Sequence, residues 1–177
     1  TLNTSDTAGG IRTQTSSANL QNTIVAGNTG VSANPDLAGT FVSSGNNLIG
    51  NGTGQSGLIN NVNSDKVGTG ATPIDPLLGS LQNNGGLTFT HALLTGSTAI
   101  DAGTTTGAPT TDQRGIFRVG LVDIGAYEYV PTLAQTGELA VNGTTGQSQE
   151  TRGSTRGSTQ AVSITPSGNY VVVWTSN

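Results

Sequence analysis

The 177-residue chain has no cysteine and no methionine, a single histidine, a single tryptophan and six prolines. Without cysteine there is no disulfide, no thiolate metal site and no cysteine-protease chemistry. The lone His91 cannot build a histidine-rich metal centre. Charged residues are 9% of the chain and aromatics 4%. A helical bundle needs Leu, Ala, Glu and Lys in bulk, so this composition argues against one. Six Lys and Arg stand against ten Asp and Glu, a formal charge of -4. That balance repels phosphates, and no nucleic-acid partner is expected. No apolar run reaches about 18 residues, so no membrane span is expected. The missing methionine reads as a processed product or an excised piece of something longer.

Gly, Ser, Thr and Asn fill about half of the chain. Such small residues suit a secreted, β-rich protein. Residues 1–72 are rich in Asn, Gly and Thr, with short apolar runs at Leu20 to Ala26, Leu37 to Val42, Leu48-Ile49 and Leu58-Ile59. Leu20, Asn22 and Ile24 alternate with Gln21, Thr23 and Val25, which is strand periodicity. The phrase Asn22 to Asn28 is echoed by Asn46 to Asn51 at an offset of roughly 23–25 residues, a solenoid period. The predicted fold is all-β: a right-handed parallel β-helix of about three coils with a cap. Equivalent strands would stack at about 4.8 Å, small apolar residues would fill the core, and Asn and Gly would turn the corners. Asn amides would bond to each other along the axis. The competing reading of 1–72 is a disordered Gly/Ser/Thr linker, which the regular strand-like runs argue against.

Residues 73–130 read as the C-terminal cap. Asp75-Pro76 carries a helix start signal, an N-cap followed by Pro at the first helical position, and predicts one helical turn. Asn83-Asn84-Gly85-Gly86 is a turn cluster, and Thr88 to Leu94 alternates like a strand. Residues 131–177 read as a partial β module. It has an expected strand at Gly137 to Asn142, a polar stretch read as mobile at Gln147 to Thr159, and a hairpin signal. The hairpin pairs Ala161 to Thr165 with Tyr170 to Trp174 around Pro166-Ser167-Gly168-Asn169.

The central segment carries a resemblance. DPLLGSLQNNGGLTFTHALLTGSTAIDAG (75–103), TDQRG (111–115) and VDIGAYE (122–128) resemble the C-terminal signature of the bacterial choice-of-anchor Q proteins. The phrases TIVAGN and GNNLIGN resemble that family's last coils, so the likeness covers about residues 20–129. It implies a right-handed parallel β-helix exported to the cell surface or matrix. It carries no catalytic residue set. An anchor signal and the long run of N-terminal coils are not recognisable here. GELAVN (137–142) and AVSITPSGNYVVVWTS (161–176) resemble repeats with a VVVW strand in large bacterial surface proteins.

Paired carboxylates with Arg are what glycoside-cleaving β-helices use. The candidates are Asp101, Asp112, Arg114, Arg118, Asp123 and Glu128. The favoured reading is that Asp101, Asp112, Arg114, Asp123 and Glu128 brace irregular loops by ion pairs and backbone hydrogen bonds. His91, flanked by Phe89, Leu93 and Leu94, reads as structural. No nucleophile elbow and no phosphate-binding loop occurs. No cofactor is expected. Calcium is the metal this composition admits, through Asp, Asn and backbone oxygens, without a defined site. Three Asn-x-Thr/Ser sequons, at Asn3, Asn51 and Asn142, are attributed to chance in so Asn- and Thr-rich a chain.

The expected function is structural, in an extracellular or cell-surface protein. Copies would join head-to-tail by strand addition, with Val171, Val172, Val173 and Trp174 as the contact. A homopolymer partner is therefore expected. The alternative is an adhesin or glycan-binding module, and a polysaccharide lyase or hydrolase comes third. Tyr127, Tyr129, Tyr170 and Trp174 all fall late in the chain, which weakens an aromatic sugar platform.

Overall fold

The computed structural model describes residues 4–5, 9–30 and 36–131, together with the strand backbone at 161–164 and 170–173. The chain divides into two units, Thr1–Tyr129 and Val130–Asn177. All regular structure among the described residues is β, with no helix.

In the first unit, three successive stretches supply strands that pair in parallel. The first holds β2 (Ile11–Arg12), β3 (Ala18–Leu20) and β4 (Ile24–Val25), after the short β1 (Thr4–Ser5). The second holds β6 (Leu37–Ser43) and β7 (Leu48–Ile49), the third β8 (Gln55–Ser56) and β9 (Lys66–Val67). Between the first two stretches lies β5 (Thr29–Gly30), which pairs with β1. Ile24 sits opposite Leu48 and Val25 opposite Ile49, a separation of 24 residues. The two echoed phrases of the sequence are thus neighbours in register. Leu48 and Ile49 then lie opposite Lys66 and Val67 at a separation of 18. The long β6 pairs with β2 and β3 along one edge and with β8 along the other.

β6 bends at Gly39, whose φ of 106° suits glycine and where a Cβ would strike the Thr13 carbonyl. There the Thr13 hydroxyl donates to the Thr40 carbonyl at 3.0 Å and accepts the Thr40 N–H at 2.8 Å. A side chain thus replaces a missing ladder bond at the corner.

Alternation along β4 and β7 sends side chains to two cores. Val25 and Ile49 join Leu20, Leu37, Phe41 and Leu58 in one. Ile24 and Leu48 face the other, which Leu93, Ala99 and Ile124 complete. The second core draws on residues 73–129, so this segment covers a face of the β4–β7–β9 sheet. A sheet covered on both faces needs apolar residues at consecutive positions, which Leu48-Ile49 supplies.

Residues 75–77 do not form the expected helical turn. The Asp75 carboxylate does accept the Leu77 N–H at 2.8 Å, as a cap would. Leu77, however, has φ 51°, outside the helical region, and β10 (Leu78–Gln82) begins directly after it. The signal is an Asx turn leading into a strand. β10 pairs antiparallel with β11 (Thr90–Leu93) across a turn containing Gly85 and Gly86 at φ 99° and 79°. In the second unit, β12 (Ala161–Ile164) and β13 (Tyr170–Val173) form an antiparallel hairpin, with Ala161 opposite Val173. The expected strand at 137–142, the stretch 147–159 and Trp174 lie outside the described residues.

Leu48→Ala and Ile49→Ala are each expected to destabilise the first unit by about 2–5 kcal/mol in denaturant unfolding, because each removes buried bulk from a different core. A sheet with one solvated face would lose little at one of these two adjacent positions, and that outcome would refute the two-core packing.

Candidate functional site

The three signature segments of the sequence, 75–103, 111–115 and 122–128, converge in space. Asp112 sits on a tight turn closed by the Gly115 N–H bonding to its own carbonyl at 3.0 Å. Its Oδ1 accepts the N–H groups of Arg114 at 2.8 Å and Ile116 at 3.1 Å. Its Oδ2 accepts Arg114 Nε at 2.8 Å and the Glu128 N–H at 2.9 Å. Arg114 Nη2 also donates to the Glu128 carbonyl at 2.6 Å, and the guanidinium lies 3.5 Å from the Tyr127 ring centroid.

A second knot lies beside the first. Arg118 pairs with Glu128 Oε2 at 2.9 Å and donates to the Gly125 carbonyl at 2.7 Å. Glu128 Oε2 accepts the Asp123 N–H at 3.2 Å. The Asp123 carboxylate takes the Asp101 N–H at 2.7 Å and the Tyr129 N–H. Asp112, Arg114, Asp123 and Glu128 are therefore tied into one network, with Arg118 as a further member. Asp101 enters it by its main chain alone, and its side chain is exposed.

These contacts decide what the carboxylates can do. A general acid or base must present a proton or a free lone pair to substrate. Asp112 spends both oxygens on four N–H groups, and Asp123 spends one oxygen on each of two backbone amides. Both carboxylates thereby satisfy backbone donors in a segment without long strands. His91 is half-buried on β11, and its Nδ1 donates to the Gly79 carbonyl across the hairpin at 2.8 Å.

A cleft of ≈ 1030 Å³ runs between this network, the β10–β11 hairpin and β4. Phe89, His91, Gln113, Arg118 and Tyr127 line it, and Phe89 is 62% exposed. Among the described residues no group of three His, Cys, Asp or Glu side chains is placed to hold a metal ion. Among them, too, no helix is long and apolar enough to cross a membrane. Val171, Val172 and Val173 fall on the backbone of β13, while Trp174 lies outside the described residues.

Several working side chains escape a search for chemistry. Asp36 is buried and bridges two stretches: Oδ1 accepts the Asn28 N–H at 2.8 Å and Oδ2 the Asn51 N–H at 2.6 Å. Asn47 Oδ1 accepts the Thr23 N–H at 3.2 Å, and Asp65 Oδ1 accepts the Asn47 N–H at 3.0 Å. The expected ladder of asparagine amides is thus a mixed column, Thr23–Asn47–Asp65. Asn22 and Asn46, both left-handed, instead reach sideways. Asn22 exchanges two bonds with Thr104, at 2.7 and 2.8 Å, and Asn46 donates to the Ala102 carbonyl at 2.9 Å. Their matched phase in the two echoed phrases was the available signal.

Burial pushes the carboxyl of Asp112 upward, but the bonds from Glu128, Arg114 and Ile116 outweigh it and hold it below its ordinary 3.8. Burial raises Asp123 above 3.8, and the Asp101 charge adds to it, against the bonds from Tyr129 and Asp101. Burial likewise raises Glu128 above 4.5, with the Asp123 charge adding and Arg118 opposing.

Compared with protein-family models, curated proteins and solved structures, the chain matches none.

The pKa directions set the pH dependence. The folded state takes up protons on Glu128 and Asp123 before the unfolded chain does, so their contribution to stability grows as pH falls from neutral towards 4.5 and 3.8. Asp112 has the opposite sign, and its contribution is lost as pH falls below 3.8. Thermal unfolding across pH 3–8 (about 0.5-unit steps, spanning the ordinary carboxyl values) is expected to show a Tm maximum on the acid side of neutrality. Glu128→Gln should flatten the rise and Asp112→Asn the fall. A native Tm that declines steadily from neutrality downward would contradict this.

Proposed function

We propose that the chain is a structural protein of the bacterial surface or extracellular matrix, built as a right-handed parallel β-helix whose copies join head to tail. The observation that carries the reading is the in-register parallel stack Ile24–Leu48–Lys66 and Val25–Ile49–Val67. A stack of this kind repeats one pairing along an axis and leaves an edge at each end. Among the described residues β4 pairs with no strand but β7, which leaves its other edge for a further strand, whereas the outward Val67 N–H of β9 is taken by Asn60 Oδ1 at 3.0 Å. The hairpin β12–β13 is two-stranded among those residues, and a two-stranded sheet gains from a third strand. Handedness and surface location come from the choice-of-anchor Q resemblance of the motifs at 75–103, 111–115 and 122–128. A structural role also accords with the spent lone pairs of Asp112 and Asp123.

A glycan-binding role is the second reading, favoured by the cleft with exposed Phe89 and the polar His91 and Gln113 on its walls.

Electron microscopy of the full chain is expected to show filaments, and a version lacking residues 161–177 is expected to lose them. Monodisperse particles in both samples would reject the assembly. In that event Phe89→Ala should weaken binding to surface polysaccharides about tenfold or more, by loss of the exposed ring. Equal binding by the native chain and the variant would reject the cleft as the glycan site.

A further inference from the structure

Among the described residues of the first unit five acidic side chains are buried: Asp36, Asp65, Asp112, Asp123 and Glu128. Asp36, Asp112 and Asp123 have hydrogen bonds on both carboxylate oxygens. Asp65 does not. It is 1% exposed, and its Oδ1 accepts the Asn47 N–H at 3.0 Å and Asn47 Nδ2 at 2.9 Å. Its Oδ2 is buried with no hydrogen-bond partner, the sole such carboxylate oxygen among the described residues.

The column Thr23–Asn47–Asp65 sharpens the point. One step earlier, Asn47 serves the Thr23 N–H with a neutral carboxamide oxygen. An asparagine at 65 would serve Asn47 equally well. The chain instead buries a carboxyl group there, with one oxygen idle, and a buried carboxylate is costly unless a cation meets it. The ion pairs among the described residues are Arg114–Asp112 and Arg118–Glu128, so none reaches Asp65.

Asp65 lines a pocket of ≈ 470 Å³ whose other walls are rich in oxygen. Asp101, the other carboxyl-bearing residue of the lining, stands there with Asn61, Ser64, Ala102 and Gly103. Asn46 fixes the far wall by donating to the Ala102 carbonyl at 2.9 Å. Lys66, the only lysine of the chain, is among the described residues the one cationic side chain lining the pocket, and it forms no ion pair with another described residue within 4 Å.

We infer that this pocket binds a hard divalent cation, calcium, with Asp65 Oδ2 and the Asp101 carboxylate as its anionic ligands. Calcium accepts about six to eight oxygen ligands in irregular geometry, carboxylate, carboxamide and carbonyl alike, whereas magnesium demands a near-ideal octahedron. The site would join the third stretch of the stack, through Asp65, to the segment that covers the sheet, through Asp101.

The test is thermal unfolding of the full chain in EDTA and in CaCl2 at matched ionic strength. Calcium is expected to raise the Tm of the first unit by about 3–8 °C when it exceeds its dissociation constant ten- to hundredfold. The expected half-saturation is about 10⁻⁴–10⁻³ M, the range of extracellular modules. Asp101→Asn should abolish the shift and still fold, because asparagine tolerates the φ of 54° at that position. Asp65→Asn should remove the shift as well and, in EDTA, unfold at a higher temperature than the native chain. Asp75→Asn, an exposed carboxylate away from the pocket, should keep the full shift. No calcium shift in the native chain would overturn the proposal, whether a water or the Lys66 ammonium meets Asp65 instead. A shift that survives Asp101→Asn, or that vanishes in Asp75→Asn, would overturn it equally.

Discussion

A buried main-chain N–H must have an acceptor, and in this fold short strands cannot supply all of them. Side-chain oxygens take up others, those of Asp36, Asn47, Asp65, Asp112 and Asp123 among them. Each of these oxygens reaches across to a stretch distant in sequence or closes a turn beside it. Several of the strands they connect are two residues long. Ladders of that length would be weak alone, so the polar side chains act as further rungs.

The same constraint separates structure from chemistry. A carboxylate that accepts backbone amides is held by them, and each bond lowers its capacity to act on another molecule. Asp112, Arg114, Asp123 and Glu128 have the residue types of a hydrolytic site, and their hydrogen bonds run to one another and to the main chain. Burial moves Asp123 and Glu128 one way, and hydrogen bonding carries Asp112 the other. Perturbed carboxyl groups in a cleft wall are therefore not by themselves a mark of catalysis.

The two cores share one sheet, and this couples the halves of the first unit. Ile24 and Leu48 look towards residues 93–129, while Val25 and Ile49 look towards Phe41 and Leu37. Asn22 and Asn46 tie that contact down on its polar side by gripping residues 102–104. The stacked strands and the signature segment thus fold against each other, with bonds as far apart in sequence as the one from the Gly125 N–H to the Asn22 carbonyl.

The sequence by itself determined the all-β character, because alternation in the short apolar runs and the scarcity of helix formers are local properties. It determined the Ile24–Leu48 register too, since equivalent residues repeat at equal spacing. It also marked the turn at 83–86 and the hairpin of the second unit. It could not decide that Asp75-Pro76 leads into a strand, because the backbone of Leu77 is set by where Leu78 must pair. It missed β9, whose Lys66-Val67 has no apolar run to announce it. Nor could it separate Asp101, which enters the network by its main chain, from Asp112 and Asp123, which enter by their carboxylates. Those outcomes belong to the tertiary structure, because hydrogen-bond partners and burial are set by segments far apart in sequence, and no local pattern encodes which oxygen meets which amide.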